Sequence, residues 1–494
     1  MINNNFLQEG ISPSYFFQYV DTLTNLNLHS LVIYKDNKLL SKVYIAPYNE
    51  HEKQILFSVS KSFTAIAMMF ALQDKLFTLD TTIYSLLKHK LNFEPTEDIK
   101  SITIHHLLSM TYGFIDKEIQ DFYLKDDWIS EAFSLKLQTK PGTSFFYNNR
   151  CPFLCSAIIQ ELTGKNLLTY LQEKLFSHLN ITNINWEKNT QNYDKGSWGL
   201  SLTTKDLAKF GQFILNKGSW NNKQLLAPEY IEKLLTVYIN TDDKAFPDSK
   251  LGYGYYFWKC QPEKAFRCAG LFGQYCIILP KENMVIAITS DAENEQKQAI
   301  LSATWKFLAQ IKKDNKSSTQ DLSSLNNYLS KLHLPYLPND NSITPEIFQQ
   351  EFKFSHNPLN LNSISFSQIA PDCIRINITL NTRKYNLLAK LNAWQKNNTN
   401  FENDNFDSCT TIFYESPYAN YGWQNNKLNL KLVYNQGIFI DTLEFNYYNH
   451  QLYLHYNPTP SFIIRTKPHY LISNPINFRI INFSGNHRLL KINF

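Results

Sequence analysis

No stretch of the chain is apolar for long enough to cross a bilayer. The most apolar run of helix-forming composition, residues 63–72, falls far short of the roughly 20 residues a transmembrane helix needs. The N-terminal segment lacks a basic region followed by an apolar core, so no signal peptide is evident and a cytoplasmic address is expected. Charge of one sign is also lacking: 48 Lys and Arg against 43 Asp and Glu leave a net +5. Over this length that supplies no electrostatic footprint for nucleic acid. Seven cysteines are an odd number without a Cys-x-x-Cys pair, which suggests neither a disulfide framework nor a zinc cluster. No internal repeat of roughly 20–50 residues is visible, which excludes solenoid and propeller architectures.

What is present is material for large cores. Apolar residues make up 43% of 494, with 35 Phe, 29 Tyr and 8 Trp, so disorder is excluded as a description of the whole. At roughly 100–200 residues per domain the length predicts two or three domains. Asn occurs 22 times in residues 1–300 and 30 times in the remaining 194, and the change of texture follows a polar stretch at 312–320. The division expected is a first domain over 1–312, a linker over 313–330 and a β-rich domain over 331–494.

The first domain mixes signals. β-favouring runs at 29–34 and 39–45 flank Lys35-Asp36-Asn37-Lys38 and read as a hairpin. Residues 60–76 lack Gly and Pro and are apolar nearly all round, which predicts a buried helix. Further helices are expected over 152–162, 167–175, 207–215 and 296–311, and strands over 253–258, 274–279 and 284–289. A hairpin early, strands late and helices between them make an α+β fold, an antiparallel sheet covered by helices. Beyond residue 330, runs at 363–367, 373–380, 428–434, 438–445 and 451–456 predict an antiparallel β domain, a sandwich or small barrel.

Ser58-Val59-Ser60-Lys61 lies at the mouth of the buried helix. Positions i and i+3 share a helix face, so the amine of Lys61 can reach the hydroxyl of Ser58. A serine hydroxyl is a weak nucleophile alone, and a neighbouring amine can take its proton. The motif by itself is cheap, since Ser85-Leu86-Leu87-Lys88 also satisfies it and reads as an ordinary helix face. Two further segments add specificity. Tyr147-Asn148-Asn149 offers a tyrosinate as general base and an amide for a substrate carbonyl and the lysine, although Tyr418-Ala419-Asn420 and Tyr447-Tyr448-Asn449 match the same pattern. Arg267-Cys268-Ala269-Gly270-Leu271 enters a strand whose small residues admit close backbone approach. An N–H there, with that of Ser58, would make an oxyanion hole.

With Phe57-Ser58-Val59-Ser60-Lys61-Ser62-Phe63-Thr64, Ile104-His105-His106-Leu107-Leu108-Ser109-Met110-Thr111-Tyr112-Gly113, Gly199-Leu200-Ser201-Leu202-Thr203, Asp206-Leu207-Ala208-Lys209-Phe210-Gly211, Tyr253-Gly254-Tyr255, and Gly270 with Gln274, the chain resembles a known family. It is similar, in block order and spacing from about residue 25 to about residue 310, to the serine hydrolases that include class C β-lactamases, DD-carboxypeptidases and β-lactamase-fold esterases. The resemblance implies a penicillin-binding-protein-like sheet flanked by helices, with a helical subdomain across the cleft. It further implies Ser58 as acylated nucleophile, Lys61 as its proton partner, Tyr147 as the second-motif tyrosine and Asn149 as its amide. One departure stands out. Where the family has Lys-Thr-Gly, this chain has Cys268-Ala269-Gly270, and only the glycine is kept. The resemblance assigns that lysine to substrate carboxylates, and of Arg267 and Cys268, adjacent on a strand, only one can face the cleft.

The expected activity is therefore acyl transfer from a small-molecule ester or amide. Ser58, Lys61 and Tyr147 are catalytic, and Asn149, Gly270 and Leu271 are substrate- and oxyanion-binding. No metal or cofactor is implied, and the oligomeric state is left open. A β-lactamase or D-amino-acid peptidase is the alternative among enzymes, and a non-catalytic binding protein the alternative outside them. His105 and His106 are read as structural, Cys268 as a small buried hydrophobe, and the aromatic residues 253–258 as strand core.

Overall fold

Asp36 and Asn37 both adopt positive φ, 49° and 62°, and so turn the first hairpin with the twist its strands require. This holds in a computed structural model that describes residues 9, 11–114, 122, 125–242, 244–311, 319–357, 359–399, 416–459, 469–472, 480–484 and 488–491. The hairpin joins β1 (Leu28–Lys35) and β2 (Lys38–Tyr44). Four later strands complete the sheet: β3 (Trp258–Lys259), β4 (Phe266–Gly270), β5 (Gln274–Leu279) and β6 (Met284–Ser290). Their order is β2-β1-β6-β5-β4-β3, and every neighbouring pair is antiparallel.

Helices cover the sheet on both faces. Helix α1 (Pro13–Thr24) starts with proline, whose missing N–H costs nothing at that position. It packs on α5 (Asn294–Ile311) through Tyr19, which stacks on Phe307 at 4.6 Å and shares a hydrogen bond with Thr304. Across the sheet, α4 (Thr204–Leu215) is capped by Thr203, whose hydroxyl accepts from the N–H of Asp206. Helix α2 (Ser60–Gln73) is buried along almost its whole length, as its all-round apolar composition predicts. It ends earlier than expected because Lys75 takes a left-handed φ of 59°. Phe63 of α2 stacks on Phe210 of α4 at 3.7 Å, which ties the buried helix to this side of the sheet. Helix α3 (Arg150–Thr163) closes at Gly164, left-handed at φ 68°.

The expected strand at 253–258 does not form. Only Trp258–Lys259 pairs in the sheet. Tyr256 is left-handed at φ 63°, and the N–H of Gly254 bonds the carbonyl of Phe257, so the segment turns tightly. Tyr253, Tyr255 and Phe257 still reach the core. The supposed linker also carries structure: α6 (Thr319–Leu329) packs Tyr328 on Phe17 of α1 at 4.6 Å. The first compact unit accordingly runs Met1–Leu332, and the second begins at His333.

In the second unit the strands follow one another in sequence through a single antiparallel meander, with one parallel pairing of Arg383–Leu391 to Tyr418–Gln424. Asn425-Asn426 and Asn449-His450 are both left-handed and turn two of its hairpins. Asparagine tolerates that region through its short polar side chain, which gives the Asn surplus a physical use. Phe366, on the strand Leu361–Ala370, meets Phe445, on the strand Ile440–Tyr448, with centroids 5.0 Å apart. Five strand steps separate them, about 24 Å in a flat sheet. The sheet therefore curls into a nearly closed barrel-like layer.

Gly211 sits where α4 meets the sheet, and an added Cβ would lie 2.5 Å from Cys276 Sγ and 2.5 Å from Val285 Cγ1. Gly211→Ala is expected to destabilise the first unit by about 1–3 kcal/mol through overpacking. A urea denaturation midpoint equal to that of the wild type would contradict this packing.

Candidate active site

Ser58 lies in a one-turn 3-10 segment, Phe57–Val59, that runs directly into α2. Lys61, one turn on, is 1% exposed. Its Nζ donates to Ser58 Oγ at 2.9 Å, to Asn149 Oδ1 at 2.7 Å and to the carbonyl of Ser197 at 2.8 Å. An ammonium has three N–H donors and no acceptor, and here each donor finds an oxygen. Two of those oxygens can only accept. Of these three oxygens Ser58 Oγ is the one that carries a proton, so a neutral Lys61 amine can accept it.

Tyr147 flanks the same pair, with the Lys61 amine 4.8 Å from its ring centroid. Burial pushes its phenol up to about 12, against a hydrogen bond with Ser58 that favours the ionised form. A phenol is neutral at neutral pH in any case, and burial makes the tyrosinate offered as general base harder still to form. Asn149 stands at the start of α3. Its Oδ1 faces Lys61, which leaves Nδ2 to donate, and no acceptor among the described residues takes it.

Strand β4 reaches this site because Gly270 has no side chain: a Cβ there would sit 2.4 Å from the carbonyl of Leu56. Among the described residues, neither the N–H of Ser58 nor that of Leu271 meets a protein acceptor. The Leu271 side chain is 39% exposed.

The sheet decides the question of Arg267 and Cys268. Cys268 pairs in register with Cys276, whose thiol contacts the carbonyl of Leu207 on α4, the side that carries α2 and Ser58. Cys268 is completely buried there. Arg267 points to the opposite face, where Nη1 donates to the carbonyls of Asp248 and Lys259. Asp248 in turn binds Gln298 and Trp305 of α5. Neither residue offers a charge to the nucleophile's side.

The sequence reading missed Ser197. Its carbonyl sits in the loop Lys195-Gly196-Ser197-Trp198-Gly199, pinned to α2 by Thr64, which donates to the carbonyl of Gly196 at 2.7 Å. A buried ion pair, Lys195 with Glu187 at 2.8 Å, holds the loop's start. Every residue has a carbonyl, so no side-chain motif marks this one; the two flanking glycines were the available signal.

The other candidates have structural partners. His106 accepts the N–H of Thr103 in a capping box, and His105 bonds the hydroxyl of Tyr255 at 2.6 Å. Ser85 and Lys88 are both exposed. Asn420 accepts the N–H of Leu337 and donates to the carbonyl of Lys390. Among the described residues no helix is long and apolar enough to cross a membrane, and no three His, Cys, Asp or Glu side chains group to hold a metal ion.

Residues 28–310, more than half of the chain, match the Beta-lactamase family. The chain belongs to the β-lactamase family. That family consists mostly of serine hydrolases, among them esterases, penicillin-binding-protein homologues and β-lactamases. The fold of this β-lactamase-family chain is similar to that of a Bacillus anthracis protein named for 6-aminohexanoate-dimer hydrolysis, at 24% identity and TM-score 0.50, over 59% of this chain and 81% of that one. It is also similar to EstCE1, a hydrolase with promiscuous acyltransferase activity, at 13% identity and TM-score 0.51, over 60% and 99% of the two chains. An uncharacterized protein of Alkalihalophilus pseudofirmus is 24% identical over 248 residues, 46% of this chain and 70% of that one.

Because Arg267 is held on the α5 side of the sheet by the carbonyls of Asp248 and Lys259, Arg267→Lys is expected to lower the melting temperature. A melting temperature equal to that of the wild type would contradict this placement.

Proposed function

We propose that the chain is a serine hydrolase that works through an acyl-enzyme on a small, uncharged ester or amide. The observation that carries this reading is the coordination of Lys61, which sets its amine 2.9 Å from Ser58 Oγ, beside the Tyr147 ring, and ties it to the Asn149 amide oxygen and the Ser197 carbonyl. Neutral Lys61 takes the proton as Ser58 Oγ attacks the acyl carbon. The resulting oxyanion is held by the N–H groups of Ser58 and Leu271, at a strand end kept close by Gly270. The C–O or C–N bond then breaks, and the leaving group receives its proton from the Tyr147 phenol, which Lys61 reprotonates. Water attacks the acyl-enzyme along the same path in reverse, and Ser58 recovers its proton.

Asn149 Nδ2 is the side-chain donor for the substrate's carbonyl. The buried thiol of Cys268, where relatives carry lysine, supports a substrate without a carboxylate at that position and counts against β-lactams and cell-wall peptides. The Leu271 side chain adds an apolar lip. Among the described residues six cysteines are buried and stand outside any disulfide, which supports a reducing, cytoplasmic setting.

The test is labelling with a fluorophosphonate, read by intact mass. Wild type should gain one adduct and Ser58→Ala none; labelling that survives the substitution removes Ser58 from its role. Lys61→Ala should slow acylation by at least about 10²-fold. In steady state, p-nitrophenyl esters should turn over and nitrocefin should not; the reverse order would overturn the substrate assignment.

A further inference from the structure

Two bulky residues sit in the left-handed region on either side of the proposed oxyanion hole. Phe57, at φ 46°, immediately precedes Ser58. Phe272, at φ 60° and ψ 24°, immediately follows Leu271. Side chains of this size rarely adopt such a conformation, and when they do the surrounding structure must hold them. Here the two hold each other. Their rings meet at 5.5 Å between centroids with a tilt of 56°, and each residue is 7% exposed. That is the edge-tilted geometry aromatic pairs favour.

The peptides behind the rings are fixed as well. Ser60 Oγ donates to the carbonyl of Phe57 at 2.6 Å, and the N–H of Leu200 donates to that same hydroxyl. On the other side, Gln274 Nε2 bonds the carbonyl of Leu271 at 3.1 Å, and Ser290 Oγ bonds that of Phe272 at 2.7 Å. Two separately anchored turns, which already meet where Gly270 approaches the carbonyl of Leu56, are thus also joined by a ring contact, and each presents an N–H that no described protein group accepts.

We infer that Phe57 and Phe272 form an aromatic clasp that sets the spacing between the Ser58 and Leu271 N–H groups, and so are positioning residues for the oxyanion. The inference rests on the acyl-enzyme reading above. The rings touch no reacting atom; their effect falls on the tetrahedral state, which binds tightly only when both donors are correctly spaced.

The test uses the full-length protein with a p-nitrophenyl ester, and fluorophosphonate labelling in parallel. Phe57→Leu and Phe272→Leu keep burial but lose the ring contact. Each is expected to lower kcat about 10–10²-fold with KM within about 3-fold, and the double variant should be little worse than either single. Phe272→Tyr keeps the ring and should restore kcat to within about 3-fold of wild type. Phe272→Gly relieves the backbone while emptying a buried site; it should melt at a lower temperature yet, assayed well below that temperature, lose kcat like the leucine variant. Unchanged kcat, a rise in KM alone, equal loss in the tyrosine and leucine variants, or full additivity in the double variant would each overturn the clasp. In those cases labelling would still depend on Ser58. Labelling independent of Ser58 would instead overturn the acyl-enzyme reading, and the clasp with it.

Discussion

A lysine amine taken out of water has to be met by acceptors, and the site is organised around that requirement. Leaving a buried ammonium without oxygens costs several kcal/mol. Lys61 meets three, and each comes from a different segment: the turn before α2, the start of α3 and a glycine-flanked loop. Those segments are in turn secured by contacts that carry no chemistry, such as Thr64 on the carbonyl of Gly196 and the buried pair Lys195 and Glu187. The reactive hydroxyl belongs to this set as the one member able to return a proton.

The sheet acts as a divider with consequences for substrate choice. Alternation along β4 sends Cys268 and Gly270 to the nucleophile's side and Arg267 to the side of α5. Gly270 is used there for its missing side chain, which lets β4 press on the carbonyl of Leu56. Cys268 is used as a small hydrophobe sealed under α4. An arginine one residue away in sequence is on the wrong face to replace the missing lysine, because a strand's period of two leaves it no other choice.

Much of the fold was legible because it follows from local periodicity and turn chemistry. The first hairpin, the buried helix after Ser58 and the strand 373–380 all occur where the pattern puts them. The failures have equally local causes. Residues 253–258 have strand composition, yet Tyr256 and Gly254 bend the chain and the aromatic side chains are buried from a turn instead. Polarity marked 313–330 as linker, although Tyr328 gives that stretch an aromatic contact and a helix to present it. At the site, Ser58, Lys61, Tyr147 and Asn149 were visible as side-chain types at set spacings. The carbonyl of Ser197 was not, and neither was the burial that makes the Tyr147 phenol harder to ionise.

By itself the sequence determined most of the first unit's elements, such as the first hairpin and the buried helix, and which family's ordered blocks that unit carries. It did so because helix and strand periods, capping residues and left-handed asparagines act over a few positions at a time. Only the tertiary structure decided which of two Ser-x-x-Lys and three Tyr-x-Asn matches converge, which face Arg267 takes, and which carbonyl completes the shell around Lys61. Those outcomes depend on distances between segments some 90 to 140 residues apart along the chain, set by packing that no local pattern encodes.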